Sequence, residues 1–249
     1  MEIIVCIRRA PKTDARIKPN ADGTSYDVAG VNYDISEYDR YAIEAAVEIA
    51  EKNSGNVTVV SVGPSAATKE VRVAIAMGCK AAHLIVSDAE HDSFAIASAL
   101  YNKIKDMPHD LVLFGWNSVD NQGSATGQMF AELAGLASVS VAVGLEVADG
   151  IAKVERLAAA GQLERYEVKL PAVITCNKGL NKPRSANMKG IMMAKKTKVE
   201  EMPIDAPANG VSVIKFDPPA PRPEGRIIGT GAEAVAELVK ALQDEAKVI

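Results

Sequence analysis

Short apolar runs of β character alternate with amphipathic stretches of helical period through residues 3–135, and no other feature limits the fold so tightly. Ile3–Ile7, Asn56–Val62, Ala82–Val86 and Leu111–Phe114 are nearly unbroken apolar runs, the pattern of strands buried on both faces. Between them, Glu37–Lys52 places Tyr41, Ile43, Ala45, Ala46 and Ile49 near helical spacing. Ala66–Met77 reads as a helix capped by Ser65 and stopped by Gly78, followed by helices over Asp92–Lys105 and Ser124–Ala134, the last ended by Gly135. Strand then helix, repeated, predicts an α/β fold with a doubly wound, mostly parallel sheet. Ser138–Val147, Ala152–Arg156 and Arg165–Leu170 follow with no helix between them and predict an antiparallel extension at one edge; Pro171–Thr175 closes the sheet. Beyond residue 200 the composition changes, with six of the twelve prolines in residues 203–223, which excludes a long helix there. The expected organisation is an α/β domain over residues 1–200 and an extended arm over 201–249. The arm ends in a helix at about 232–247, with Val235, Leu238, Val239, Leu242 and Ala246 on one stripe. Such a helix either packs back on its own domain or reaches a partner subunit.

The charge balance of -4 and the 4% aromatic content argue against nucleic-acid binding. Cys6, Cys79 and Cys176 are odd in number and widely spaced, which predicts a reducing, cytoplasmic setting and no disulfide framework. The three histidines are scattered, so no metal site is expected. The start of the chain reads as a strand and not a signal peptide, and no apolar run is long enough to embed it in a bilayer.

In open α/β sheets the ligand lies beyond the carboxyl ends of the strands, at a switch point. The loop from Gly115 to Gln128 follows the fourth such strand and feeds a helix; its Gly123, Ser124, Thr126 and Gly127 offer backbone N–H and hydroxyl donors suited to a phosphate. The same residues also suit a plain helix start with a polar turn. No nucleophile is paired with a base, so the expectation is a carrier, sensor or scaffold with no catalytic side chain. Residues 180–199 hold six cations, no acid and several methionines, interrupted by Pro183 and Gly190. This is a solvated connector or a loop that docks another protein, in which Met adapts to the surface met and the charges steer encounter.

Ordered blocks then carry a resemblance over almost the whole length. They are Ile4–Arg9, Ile35–Glu44, Val59–Pro64, Ala74–Gly78, Ser118–Met129, and Leu170–Thr175 followed by Leu180-Asn181-Lys182-Pro183-Arg184. In this order they resemble the β subunit of electron transfer flavoprotein. The resemblance implies an adenine-nucleotide-binding α/β subunit in a heterodimer with an α subunit that holds the redox-active FAD. It implies a structural AMP, or in the electron-bifurcating branch a second FAD, against Cys6, Ser36, Val62, Gly63 and the loop bearing Asn117, Asp120, Gly123, Ser124, Ala125, Thr126, Gly127 and Gln128. Tyr38 matches an aromatic position whose side chain approaches the α-subunit flavin. Met188, with Lys189, Lys195 and Lys196 beside it, matches the segment that docks a partner dehydrogenase. The terminal arm would wrap onto α.

Ser36-Glu37 departs from the family's Asn-Pro, and Gly123-Ser124-Ala125 from its usual residues, while Thr126-Gly127-Gln128 resembles the AMP-binding branch. The implied function is electron transfer from a flavin-dependent dehydrogenase, such as an acyl-CoA dehydrogenase, through the FAD of α to a quinone reductase. Two alternatives stand beside it: a bifurcating, NADH-dependent β subunit with its own FAD, and a stand-alone adenine-nucleotide sensor of the universal-stress type.

Overall fold

The computed structural model describes residues 1–222 and 224–249. β1 (Glu2–Ile7) opens a nine-stranded sheet, and β2 (Arg9–Pro11) and β3 (Tyr33–Ile35) pair antiparallel in a small sheet of their own. α1 (Glu37–Lys52), β4 (Asn56–Gly63), α2 (Thr68–Met77), β5 (Ala81–Val86), α3 (Ser93–Ile104), β6 (Leu111–Gly115) and α4 (Thr126–Ala134) continue the alternation. β7 (Ala137–Ala148), β8 (Ile151–Leu157) and β9 (Leu163–Lys169) form an antiparallel meander. The chain then returns as β10 (Ala172–Cys176), which lies parallel to both β6 and β7 and fills the place between them. α5 (Met188–Lys196), β11 (Glu200–Pro203) and α6 (Val235–Ala241) complete the order. Across the main sheet the strands run β11-β5-β4-β1-β6-β10-β7-β8-β9. The doubly wound sheet, its antiparallel edge and the terminal helix are therefore as the sequence predicts.

Both faces of the parallel part of the sheet are covered, and both parities of β1 are buried. Ile3, Val5 and Ile7 of β1 pack with Ala42, Ile43 and Ala46 of α1 and Val71 and Ala74 of α2. Ile4 and Cys6 pack on the other face with Ala97 and Leu100 of α3 and Phe130 of α4. Helix ends follow local chemistry. The Asp92 side chain accepts the Ala95 N–H at 2.8 Å to start α3, and Gly135, at φ 64°, ends α4.

Four details differ from the sequence reading. Ser65 caps nothing: it opens a 3-10 turn, and α2 begins at Thr68. Residues 180–199 are not one loop, since α5 runs through Gly190, started by the Asn187 side chain accepting the Gly190 N–H at 2.8 Å. Pro171–Thr175 is not the last strand of the sheet, because β11 pairs parallel to β5 at the opposite edge. The terminal helix is a 3-10 turn (Ala232–Ala234), then α6, then a π turn over Leu242–Ala246. Pro223, the last proline of the arm, lies outside the described residues. Among the described residues no helix is long and apolar enough to cross a membrane.

Candidate functional site

β4 and β5 lie to one side of β1 and β6 lies to the other, so the carboxyl ends of β1 and β6 flank the switch point. The residue that joins them is Asp39, in the first turn of α1. Its carboxylate accepts the Arg8 N–H at 2.6 Å and the Gly115 N–H at 3.0 Å. Gly115 is required at this contact, since a Cβ there would stand 2.4 Å from Asp39 Oδ1. Burial pushes the Asp39 carboxyl up to about 7, against the pull of its two N–H partners and the Arg8 charge. Burial, and then the Asp39 charge, push the nearby Cys6 and Cys176 thiols well up, so both are protonated at neutral pH. Both are buried, inert thiols and not nucleophiles.

The Arg8 side chain carries the arrangement outward. Its guanidinium meets Asp120 through Nη2 at 2.7 Å and Nε at 2.8 Å. The Ser118 hydroxyl and the Asn121 N–H also donate to Asp120. Burial works to raise the Asp120 carboxyl, but Arg8, Ser118 and Asn121 outweigh it and hold the group below its ordinary value. The loop folds back on itself, with the Gly123 N–H bonded to Asn121 Oδ1 at 3.1 Å and Gln122 and Ser124 left-handed at φ 51° and 48°. It delivers the chain into α4, whose first turn carries no side-chain cap. A helix start leaves its first N–H groups without intrahelical partners and positive in potential. Gly127 seats that turn against the sheet, as a Cβ there would come within 2.7 Å of Thr175 Cγ2.

These elements line an open-mouthed cleft. One side is apolar, from Cys6, Val62, Ile96, Leu100 and Phe114; the other is polar, from Asn117, Ser118, Asn121 and the turn Gly123–Gly127. Of the residues singled out in the sequence, Cys6, Val62, Asn117, Gly123, Ser124, Ala125, Thr126 and Gly127 meet here. Asp120 stands behind them as the Arg8 partner, and Gly63 follows Val62 at the end of β4. Gln128 sits in the first turn of α4 with a buried Oε1 that has no protein partner. Ser36 is buried; its N–H donates to the Arg8 carbonyl at 2.9 Å and its hydroxyl has no partner. Tyr38 packs edge-on against Trp116, with ring centroids 5.6 Å apart, and does not line the cleft. Met188, Lys189, Lys195 and Lys196 belong to α5 and do not line it either.

Sequence reasoning assigned neither Asp39 nor Ser93. Asp39 was findable: it lies three and four residues before Ala42 and Ile43, which puts a carboxylate on the buried face of α1. Ser93 reaches the cleft only through the placement of α3.

Comparison with known proteins places this geometry in a family. The electron transfer flavoprotein domain matches residues 24–207. The chain is similar to the electron transfer flavoprotein subunit beta of Bacillus subtilis, 35% identical over 260 residues and 100% of both chains. It is 31% identical over 255 residues to that of Bradyrhizobium diazoefficiens, again with 100% of both covered. It is 31% identical over 248 residues to that of Homo sapiens, with 96% of each covered.

Proposed function

Because the chain belongs to the electron transfer flavoprotein family, as a relative of its β subunits from end to end, we propose that it holds AMP in the cleft at the β1/β6 switch point. In the same reading it pairs with an α subunit and docks a flavin-dependent dehydrogenase through α5. The family's role is electron transfer. When bound by α, FAD supplies the redox chemistry; this chain contributes binding, scaffold and docking.

The carrying observation is the uncapped start of α4 at the polar side of a half-apolar cleft. Asp39 already takes the N–H groups of Arg8 and Gly115, the donors an anion would meet at the strand ends. The first turn of α4 is what remains for a phosphate, with the Thr126 hydroxyl beside it. The apolar side suits a purine. Gln128 Oε1 and Trp116 Nε1, buried and without partners, fit a polar ligand at this end of the sheet. Tyr38 and Trp116 form an aromatic face beside the cleft that suits the approach of the α-subunit flavin. On α5, Met188 is 75% exposed and cations flank it, as an anchor for an apolar pocket with an acidic rim requires. Electrons would leave through a quinone reductase or an equivalent acceptor.

The test is the nucleotide and flavin content of the purified heterodimer, released by denaturation and identified by mass spectrometry. One FAD and one AMP per heterodimer are expected. Two FAD would replace this reading with the bifurcating one. A stable monomer that binds ATP with no flavoprotein partner would replace it with the sensor.

A further inference from the structure

α5 is nine residues long, and only Gly190 and Ala194, four positions apart, turn inward. They rest on α2, where the facing residues Arg72 and Ala76 are also four apart. At one point there is no room at all: a Cβ at Gly190 would stand 2.1 Å from the Ala76 carbonyl oxygen. One turn on, the Arg72 guanidinium donates to the Ala194 carbonyl and, at 3.3 Å, to that of Thr197, closing the carbonyl end of α5. Farther along the same face of α2, the Thr68 hydroxyl lies 3.2 Å from Glu201 Oε1, on the strand that follows α5. Thr68, Arg72 and Ala76 therefore form one stripe on α2, at successive turns, that receives α5 and its exit. The opposite side of α5 is left to solvent and carries Met188, Met192 and Met193, all more than half exposed.

We propose that this stripe holds α5 as a preset docking helix, with Gly190 and Arg72 as positioning residues that do not touch the partner. The inference rests on the docking role assigned to α5 above, and the partner is a flavin-dependent dehydrogenase offering an apolar pocket ringed by carboxylates. A glycine inside a helix weakens it, so its presence in α5 follows from the contact and not from local preference. Contacts to Ala76 oxygen tighter than about 3 Å are not adopted by real Cβ atoms. Adding a methyl at 190 must therefore lift α5 by ~1 Å, a displacement large enough to misplace an anchor. An anchor held in its bound geometry before encounter also loses less freedom on docking.

The experiment uses the assembled flavoprotein and a purified acyl-CoA dehydrogenase that reduces the wild type. Gly190→Ala and Arg72→Met should each raise the KM for the flavoprotein about tenfold, with kcat, FAD and nucleotide content unchanged. Met188→Ala should do the same, and Arg72→Lys should recover part of the loss. If Met188→Ala raises KM while Gly190→Ala and Arg72→Met do not, docking stands and the positioning role is overturned. If Met188→Ala leaves KM at the wild-type value, the docking reading falls and this proposal falls with it. A fall in kcat at unchanged KM also overturns it. Should Gly190→Ala fail to assemble, Arg72→Met decides, since it removes only bonds at the end of α5.

Discussion

At the scale of single residues, the site is organised by one buried carboxylate. Asp39 is raised to about 7 in the folded chain, against about 3.9 when unfolded. A raised acid favours the fold while protonated, so this contribution is full below pH 4 and is lost as pH rises through 7. Urea unfolding at pH 5 and pH 7.5 should show the wild type losing ~2–3 kcal/mol relative to Asp39→Asn over that interval. An unchanged difference would mean that Asp39 is not buried as an acid. Thr126→Val removes a hydroxyl donor from the phosphate end and should cost ~1.5–3 kcal/mol of nucleotide affinity. The nucleotide should then be lost on gel filtration, and full occupancy would reduce Thr126 to a helix-start residue. Much of the cleft was legible here, because Gly123–Gly127 advertises itself as a polar, glycine-bearing entry to a helix. Asp39 was readable but unread. The requirement for Gly115 was not readable, because the clash that imposes it is with a residue 76 positions away.

At the scale of elements, long periodic segments were legible and short ones were not. β2 and β3 have three residues each, too few for a period. β11 is Glu-Glu-Met-Pro, with charge and proline on an edge, where they discourage further pairing but disguise a strand. α5 was hidden by Gly190, whose helical cost is offset by a contact the sequence does not display. The segment leading into α5 is clamped by Arg184. Its N–H and Nε bond Glu44 at 2.8 and 2.9 Å, and Nη1 bonds Glu51 at 2.7 Å. These contacts differ in worth. The Glu44 side chain is 5% exposed and Glu51 is 60% exposed. Arg184→Met strands a buried charge and should cost ~3–5 kcal/mol in urea unfolding, whereas Glu51→Gln should cost less than ~1 kcal/mol. Equal losses would show that the clamp is shared evenly.

At the scale of the molecule, the arm straps one side and then leaves it. Asn209 Nδ2 donates to the Glu90 carbonyl, Asp92 accepts the N–H groups of Gly210 and Val211, and the Phe216 N–H reaches the Gly23 carbonyl at 2.6 Å. Beyond that, α6 buries no residue, and Val235, Leu238 and Val239 of its stripe are exposed. The sequence offered two fates for this helix, and among the described residues α6 buries none of its side chains against the sheet domain. Deleting the chain after Arg226 should abolish co-purification with α while leaving the thermal midpoint of the isolated subunit unchanged. A truncated chain that assembles with full FAD would remove this role. The alternation made the sheet legible as a whole, but the placing of β10 between β6 and β7 was not, since no local signal states which strands a returning segment will meet. That placing has a consequence in time. A ribosome extends the chain in one direction, and after Gly115 emerges the far edge of β6 has no neighbour until Ala172 is made. At about 5–20 residues per second that edge waits several seconds, while the meander is already complete. The nascent chain thus holds an open slot at the centre of its largest sheet, and the strand that fills it is the last of the inner ones to be born.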